Sequence, residues 1–70
     1  MWEALRRRRR ELAAEQGVPP YAIFHDATLM ELIAQRPQTL REMARISGIG
    51  GRKLAAYGEI FLELIAEHVC

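Results

Sequence analysis

The first boundary between structural elements is predicted at Gly17 and the adjacent prolines Pro19-Pro20. Each proline fixes its own φ and biases the residue before it away from helical geometry, so residues 18–24 are predicted to be extended or turn-like. The apolar residues before the boundary recur on one helical stripe. This pattern predicts a first helix from Trp2 to Gln16.

Two later segments, Thr28–Glu31 and Thr39–Glu42, carry the Thr-x-x-Glu pattern of a capping box. The first predicts the start of a second helix, for which Asp26 is an alternative cap, and Pro37 lies beyond its end. The second predicts a short third helix that Gly48 terminates.

The apolar spacing from about Gly51 to Val69 predicts a fourth helical segment, with Gly58 as a kink or a break between two shorter helices. No segment shows strand alternation with a hairpin turn. The chain has 70 residues, half of them apolar, which fits one small domain. We therefore predict an all-α fold of four or five short helices around one core.

Several classes of protein are excluded by composition and spacing. The single cysteine, Cys70, cannot form an internal disulfide, which excludes the cysteine-stapled secreted folds. No apolar run approaches the ~20 residues of a membrane span, and no signal peptide is evident. His25 and His68 lack partners at metal-ligand spacing, so no metal, cofactor or catalytic residue is predicted. The glutamates that recur every four residues in the last segment are interpreted as its solvent face: Glu59, Glu63 and Glu67.

The formal net charge of +1 is the sum of unlike blocks. Residues 1–10 carry +4 and residues 36–53 carry +4, whereas residues 11–35 carry −4 and residues 54–70 carry −3. Composition alone therefore does not decide whether the partner is a nucleic acid or a protein.

Five consecutive arginines, Arg6 to Arg10, cannot share one helix face, because successive side chains are 100° apart. Arg9 falls on the apolar stripe and is expected to lie along the core boundary with its guanidinium in water, while Arg7 and Arg10 point outward. Either the run is a solvated surface paired with nearby glutamates, or its outward members belong to a phosphate-attracting patch.

The segment Ser47–Lys53 contains a Gly-Ile-Gly turn between a helix that ends and a helix that starts. Glycines permit close backbone approach, and a helix N-terminus has free N–H groups, so both favour a phosphate oxygen. Arg52 and Lys53 oppose the helix dipole there unless an anion is nearby. The alternative is a tight corner in which the glycines only relieve backbone strain.

Tyr21 follows the proline pair in a rigid loop. An aromatic ring held there could stack on a base, a contact worth ~1–3 kcal/mol. The alternative is that Tyr21 packs over the core with its hydroxyl at the surface.

The motifs that carry a family resemblance run along nearly the whole chain. The specific part is Val18-Pro19-Pro20-Tyr21 followed by Ile23-Phe24, Asp26 and Thr28-Leu29, and it continues in Gly48-Ile49-Gly50, Arg52-Lys53-Leu54 and Tyr57-Gly58. With these residues the chain resembles the helicase-and-RNase-D C-terminal (HRDC) domain, in the version that ends bacterial RecQ helicases.

The resemblance implies a compact bundle of five short helices with a proline-containing loop and a helix-hairpin-helix-like glycine turn. Residues 1–70 would be one monomeric domain from the C-terminal part of an ATP-dependent DNA helicase, in the bacterial cytoplasm at the nucleoid. The domain itself would be a non-catalytic module that binds single-stranded or branched DNA weakly. The expected contacts are Tyr21, Arg6, Arg9, Arg10, Gly48, Ile49, Gly50, Arg52 and Lys53. The alternative, motivated by the acidic blocks, is a protein-interaction module that docks on the helicase core or another partner.

Overall fold

The computed structural model describes residues 1–68, and every regular element in that range is helical. Helix α1 spans Trp2–Gln16, α2 spans Asp26–Gln35, α3 spans Leu40–Met43 and α4 spans Gly51–His68. A single 3₁₀ turn spans Pro20–Ala22. Val69, the expected end of the last helix, and Cys70 lie outside the described residues. The predicted all-α fold is confirmed.

Helix α1 has the predicted bounds, and its C-terminal end is closed by backbone hydrogen bonds. The N–H of Val18 donates to the carbonyl of Ala13 (3.0 Å), and the N–H of Gly17 donates to that of Ala14 (3.3 Å). The chain then enters the 3₁₀ turn, which carries Ile23 and Phe24 into the core. The segment predicted to be extended or turn-like is therefore a compact turn.

The capping box predicted at Thr28–Glu31 is wrong, because α2 begins earlier. Its N-cap residue is His25, which makes no side-chain capping bond, and Asp26 is already the first helical residue. Thr28 is buried inside the first turn, and its hydroxyl donates to the backbone carbonyl of Ser47 (3.3 Å). The Thr28 hydroxyl therefore bonds to a residue distant in sequence and does not cap α2.

The cap predicted for α3 is confirmed. The hydroxyl of Thr39 accepts a hydrogen bond from the N–H of Glu42 (3.1 Å). The carboxylate of Glu42 accepts in return from the N–H of Gln38 (2.6 Å), one residue before the cap. These bonds satisfy donors that the start of a helix would otherwise leave free.

Helix α4 is continuous, so the expected break at Gly58 is wrong. Gly58 is buried, and a Cβ at this position would lie 2.7 Å from Cδ2 of Leu40 and 3.2 Å from Cδ1 of Leu54. The glycine thus permits close packing of α3 against α4 within an unbroken helix. Residues 1–68 form four α-helices and a 3₁₀ turn, where five short helices were expected.

The core lies between α1, α2 and α4 and centres on aromatic contacts. The rings of Phe24 and Phe61 meet edge to face with centroids 5.2 Å apart, and Phe24 meets Tyr57 in the same way at 6.0 Å. The Tyr57 hydroxyl donates to Oε1 of Gln16 (2.8 Å), which places the end of α1 beside the middle of α4. The fully buried side chains come from all four helices and the segment before α2: Leu5, Ile23, Phe24, Leu29, Leu32, Met43, Phe61 and Ile65. Within residues 1–68 no helix is both long enough and apolar enough to span a membrane.

Candidate nucleic-acid interface

Tyr21 stands on the surface rather than over the core. Its side chain is 60% exposed, and its ring is stacked on the ring of His25 with centroids 5.9 Å apart and planes 25° apart. The prolines before it restrict the backbone, and the buried Ile23 anchors the turn from behind. The structure thus presents one aromatic face to solvent on a rigid support.

Arg9 lies on the core side of α1, as its place on the apolar stripe predicts. Its guanidinium was expected in water, but the residue is only 8% exposed. Its Nη1 donates to the carbonyl of Phe24 (3.0 Å) and lies 2.6 Å from Oδ1 of Asp26. Its Nε is buried without a hydrogen-bond partner. Arg9 therefore joins α1 to the start of α2. Because Asp26 neutralises its charge, Arg9 has less charge to offer as the DNA contact that the sequence predicts.

Arg6 and Arg10 lie one helical turn apart on α1. Arg6 is half-buried, pairs with Glu3 at 3.3 Å, and has its guanidinium carbon 5.7 Å from the centre of the Trp2 ring. Arg10 is exposed and makes no ion pair within the described part of the chain. Arg10, like the equally exposed Arg7, is thus available to an anion.

One shallow groove contains Tyr21 and reaches the buried arginine. Asp26 and His25 form one side of the groove and the 3₁₀ turn forms the other. Arg6 shares a helix face with Arg9, three residues away, so it lies near this groove. The lining residues are Arg9, Pro20, Tyr21, His25, Asp26 and Ala27. We call this surface the tyrosine groove.

The predicted glycine turn forms a second shallow depression at the start of α4. Gly48 has φ +93°, and the N–H of Leu54 donates to the carbonyl of Gly50 (2.9 Å) in the first turn of the helix. The side chain of Ile49 is buried, so this residue offers its backbone alone. Neither cation of the turn makes an ion pair within residues 1–68. The depression is lined by Gly48, Ile49, Gly50, Arg52 and Lys53.

Replacing Gly48 with alanine is expected to lower the free energy of unfolding by about 1–2 kcal/mol. Its φ lies where L-residues are strained, and an added Cβ would collide with the hydroxyl of Thr28. Thermal unfolding should show a midpoint lower by roughly 4–16 °C. Gly50→Ala is the matched control, since Gly50 has no positive φ and no atom within 4 Å of an added Cβ. Equal midpoints for the two variants would contradict this account of the turn.

The two predicted surfaces and the arginine helix meet at the first turn of α2, residues 25–28. The tyrosine groove reaches it through His25, α1 through Asp26, and the glycine turn through Thr28. These residues span about 4.5 Å of helix rise. Folding therefore brings three separate parts of the sequence to one end of α2. Sequence reasoning missed this meeting point because it expected the guanidinium of Arg9 in water, where no acid is needed; a buried charge requires a partner.

Four of the nine acidic residues lie together on another side of the molecule. Arg8 lies 3.1 Å from Oε1 of Glu11 and 4.0 Å from Oε2 of Glu15, and it shares a shallow groove with Glu63 and Glu67 of α4. One arginine thus sits among four glutamates. We call this surface the acidic face. Because Arg8 faces α4 whereas Arg9 faces α2, the acidic face and the tyrosine groove lie on different sides of α1.

The described residues contain no group of three or more His, Cys, Asp or Glu side chains arranged to hold a metal ion. His68 makes a local contact, with its Nδ1 2.9 Å from the carbonyl of Leu64.

Comparisons of the sequence and of the structure with known proteins agree on one domain family. The family model described as the HRDC domain matches residues 1–65. The ATP-dependent DNA helicase RecQ of Bacillus subtilis is 46% identical over 65 residues, which are 93% of this chain and 11% of the helicase. The RecQ of Haemophilus influenzae is 40% identical over 68 residues, which are 97% of this chain and, again, 11% of the relative. The solved structure of D. radiodurans RecQ HRDC domain 3 superimposes with a TM-score of 0.88 at 45% identity, over 91% of this chain and 84% of that one. The chain spans about a tenth of the length of the curated relatives.

Proposed function

The chain belongs to the HRDC domain family, an accessory domain of RecQ-type helicases, and from this premise we propose that it binds single-stranded or branched DNA weakly. In this proposal it is one monomeric domain, residues 1–70, of the C-terminal part of a larger ATP-dependent helicase, and it works in the bacterial cytoplasm at the nucleoid. The parent protein supplies the motor, and this domain contributes no catalytic residue.

The observation that carries the proposal is the exposed ring of Tyr21 beside a groove with arginine at its edge. A base stacks on the free face of this ring. This contact does not depend on the type of base, because every base has a π-face. The other face of the ring is already occupied by His25, so the stacking surface is held in place before DNA arrives.

Phosphates are attracted by two sets of cations, of which Arg6 is paired with the exposed Glu3 and the others make no ion pair within residues 1–68. Arg10 and Arg6 lie on the α1 side, and Arg52 and Lys53 lie on the side of the glycine turn. The backbone of the turn permits close approach, and the N-terminus of α4 favours an anion. Arg9 supports this surface from below, with its charge held by Asp26.

Oligothymidylate titration of the full 70-residue chain at two salt concentrations tests the proposal. We expect a dissociation constant of about 10⁻⁴–10⁻⁶ M at physiological salt, in the range of non-specific binding. With about four phosphates neutralised, log K should fall against log salt with a slope of roughly −3. No binding at low salt, or binding that does not depend on salt, would remove DNA as the ligand.

A second candidate function is supported by the acidic face. Its four glutamates around Arg8 would repel phosphate and would suit a basic surface of the helicase core or of another protein. Binding of this chain to the rest of its parent helicase would test this function. A salt-sensitive contact that survives Tyr21→Ala and is lost in Glu63→Gln/Glu67→Gln would support it, and a contact that depends on Tyr21 would oppose it.

A further inference from the structure

A second basic groove lies at the opposite end of α2 from the tyrosine groove. Arg36 follows the last residue of α2, and Arg45 follows α3. Both side chains are exposed, and neither makes an ion pair within residues 1–68. Neither residue is among the DNA contacts that the sequence predicts. The lining residues are Gln35, Arg36, Pro37, Gln38, Glu42 and Arg45, and we call this surface the loop groove.

The one carboxylate of the loop groove is already engaged. Glu42 accepts the N–H of Gln38 at 2.6 Å at the start of α3. The side-chain amide of Gln35 donates to Oε2 of Glu31 (2.7 Å), outside the groove lining. The two guanidinium groups are therefore the unpaired charges of this surface within residues 1–68, and their two positive charges exceed the one negative charge of Glu42.

The backbone of Arg36 gives an independent reason to consider this groove. Arg36 has φ +45° and ψ +62°, and it is the only non-glycine residue with positive φ in the described range. Its N–H donates to the carbonyl of Leu32 (2.9 Å), and the buried Pro37 fixes the chain after it. Glycine is the residue that adopts this conformation without strain. A cation is present here at a conformational cost, and such strain is concentrated at functional sites.

We propose that the loop groove is a second binding site for backbone phosphates of a nucleic acid, with Arg36 and Arg45 as its ligands. A guanidinium presents a planar fork of donors that matches two phosphate oxygens. This inference rests on the proposed function, because it extends the path of the same DNA ligand beyond the tyrosine groove.

The position of Arg45 indicates how the strand reaches this groove. Arg45 precedes the glycine turn by three residues, so phosphates can pass from Arg52 and Lys53 to Arg45 and then to Arg36. A straight path along α2 is about 15 Å long. That path is opposed by the exposed carboxylate of Glu31 in the middle of α2. The DNA therefore follows the basic block of residues 36–53 rather than α2.

Fluorescence anisotropy with labelled oligothymidylate, using the full chain over a series of salt concentrations, tests the inference. Arg36→Gly and Arg45→Gln are each expected to weaken binding about three- to tenfold at low salt and to flatten the slope of log K against log salt by about 0.7. Arg8→Gln is the matched control, because Arg8 is paired with Glu11 on the acidic face and lines neither groove. Arg36→Gly should unfold at or above the midpoint of the unsubstituted chain, since glycine suits the left-handed backbone.

The outcomes separate this inference from the function on which it rests. If the unsubstituted chain binds with the expected salt dependence but the two variants match Arg8→Gln, the loop groove is not part of the DNA site and the proposed function stands. If the unsubstituted chain does not bind oligothymidylate, the proposed function and the inference both fail. If polyglutamate binds as well as oligothymidylate and is equally weakened by Arg36→Gly and Arg45→Gln, the groove takes protein carboxylates and the nucleic-acid assignment is overturned.

Discussion

Replacing Tyr21 with alanine is expected to weaken binding of oligothymidylate by about 5- to 150-fold, the equivalent of ~1–3 kcal/mol of base stacking. The ring is 60% exposed and stands on His25, so its outer face is free for a base. Fluorescence anisotropy at low salt, where phosphate attraction keeps the weaker complex measurable, provides the comparison.

Tyr21→Phe is the control for this prediction. It keeps the stacking surface and removes the hydroxyl, so its affinity should remain close to that of the unsubstituted chain. Both variants should unfold at nearly the same temperature as the parent, because substitution of an exposed side chain changes stability by about 0.5 kcal/mol or less. Unchanged affinity in Tyr21→Ala would show that binding depends on phosphate contacts without base stacking.

Replacing Arg9 with alanine is expected to lower the free energy of unfolding by about 2–4 kcal/mol. The change removes the ion pair with Asp26, leaves the carbonyl of Phe24 without its donor, and opens a cavity between α1 and α2. In a domain of this size the thermal midpoint should fall by roughly 10–30 °C. Urea unfolding followed by circular dichroism measures the free energy.

The neighbouring arginine provides the matched control. Arg10→Ala removes the same side chain from an exposed position, so its stability should change by about 0.5 kcal/mol or less. Arg9→Met should be less destabilising than Arg9→Ala, because it fills most of the volume without burying a charge. If Arg9→Ala were as stable as Arg10→Ala, Arg9 would not be the structural link between the two helices.

The helix ends show which features can be predicted locally. The bounds of α1 and the Thr39–Glu42 cap were predicted correctly, because both depend on bonds between residues a few positions apart. The same pattern failed at Thr28, whose hydroxyl finds a carbonyl 19 residues away. A local pattern shows that a threonine can cap a helix, but it does not show which partner the folded chain will offer.

The candidate site likewise contains parts that the sequence predicted and parts that it did not. The exposed ring of Tyr21 and the glycine turn with its two cations lie where the sequence suggested. Arg8 pairs with Glu11 and Glu15 of its own helix, as the helical spacing suggested. For Arg9 the spacing predicted a place on the core side of α1, but its charge partner, Asp26, comes from another element and became visible only in the folded structure.

By itself, the sequence determined the all-helical class, the rigid proline turn and the family resemblance, because these depend on residue types at short spacing. Only the tertiary structure decided that the first turn of α2 joins the tyrosine groove, α1 and the glycine turn. The contacts that do so include Arg9 to the carbonyl of Phe24, 15 residues apart, and Thr28 to the carbonyl of Ser47, 19 residues apart. The physical reason is that a buried charge or hydroxyl must find a partner in the interior, and packing of the whole chain selects that partner.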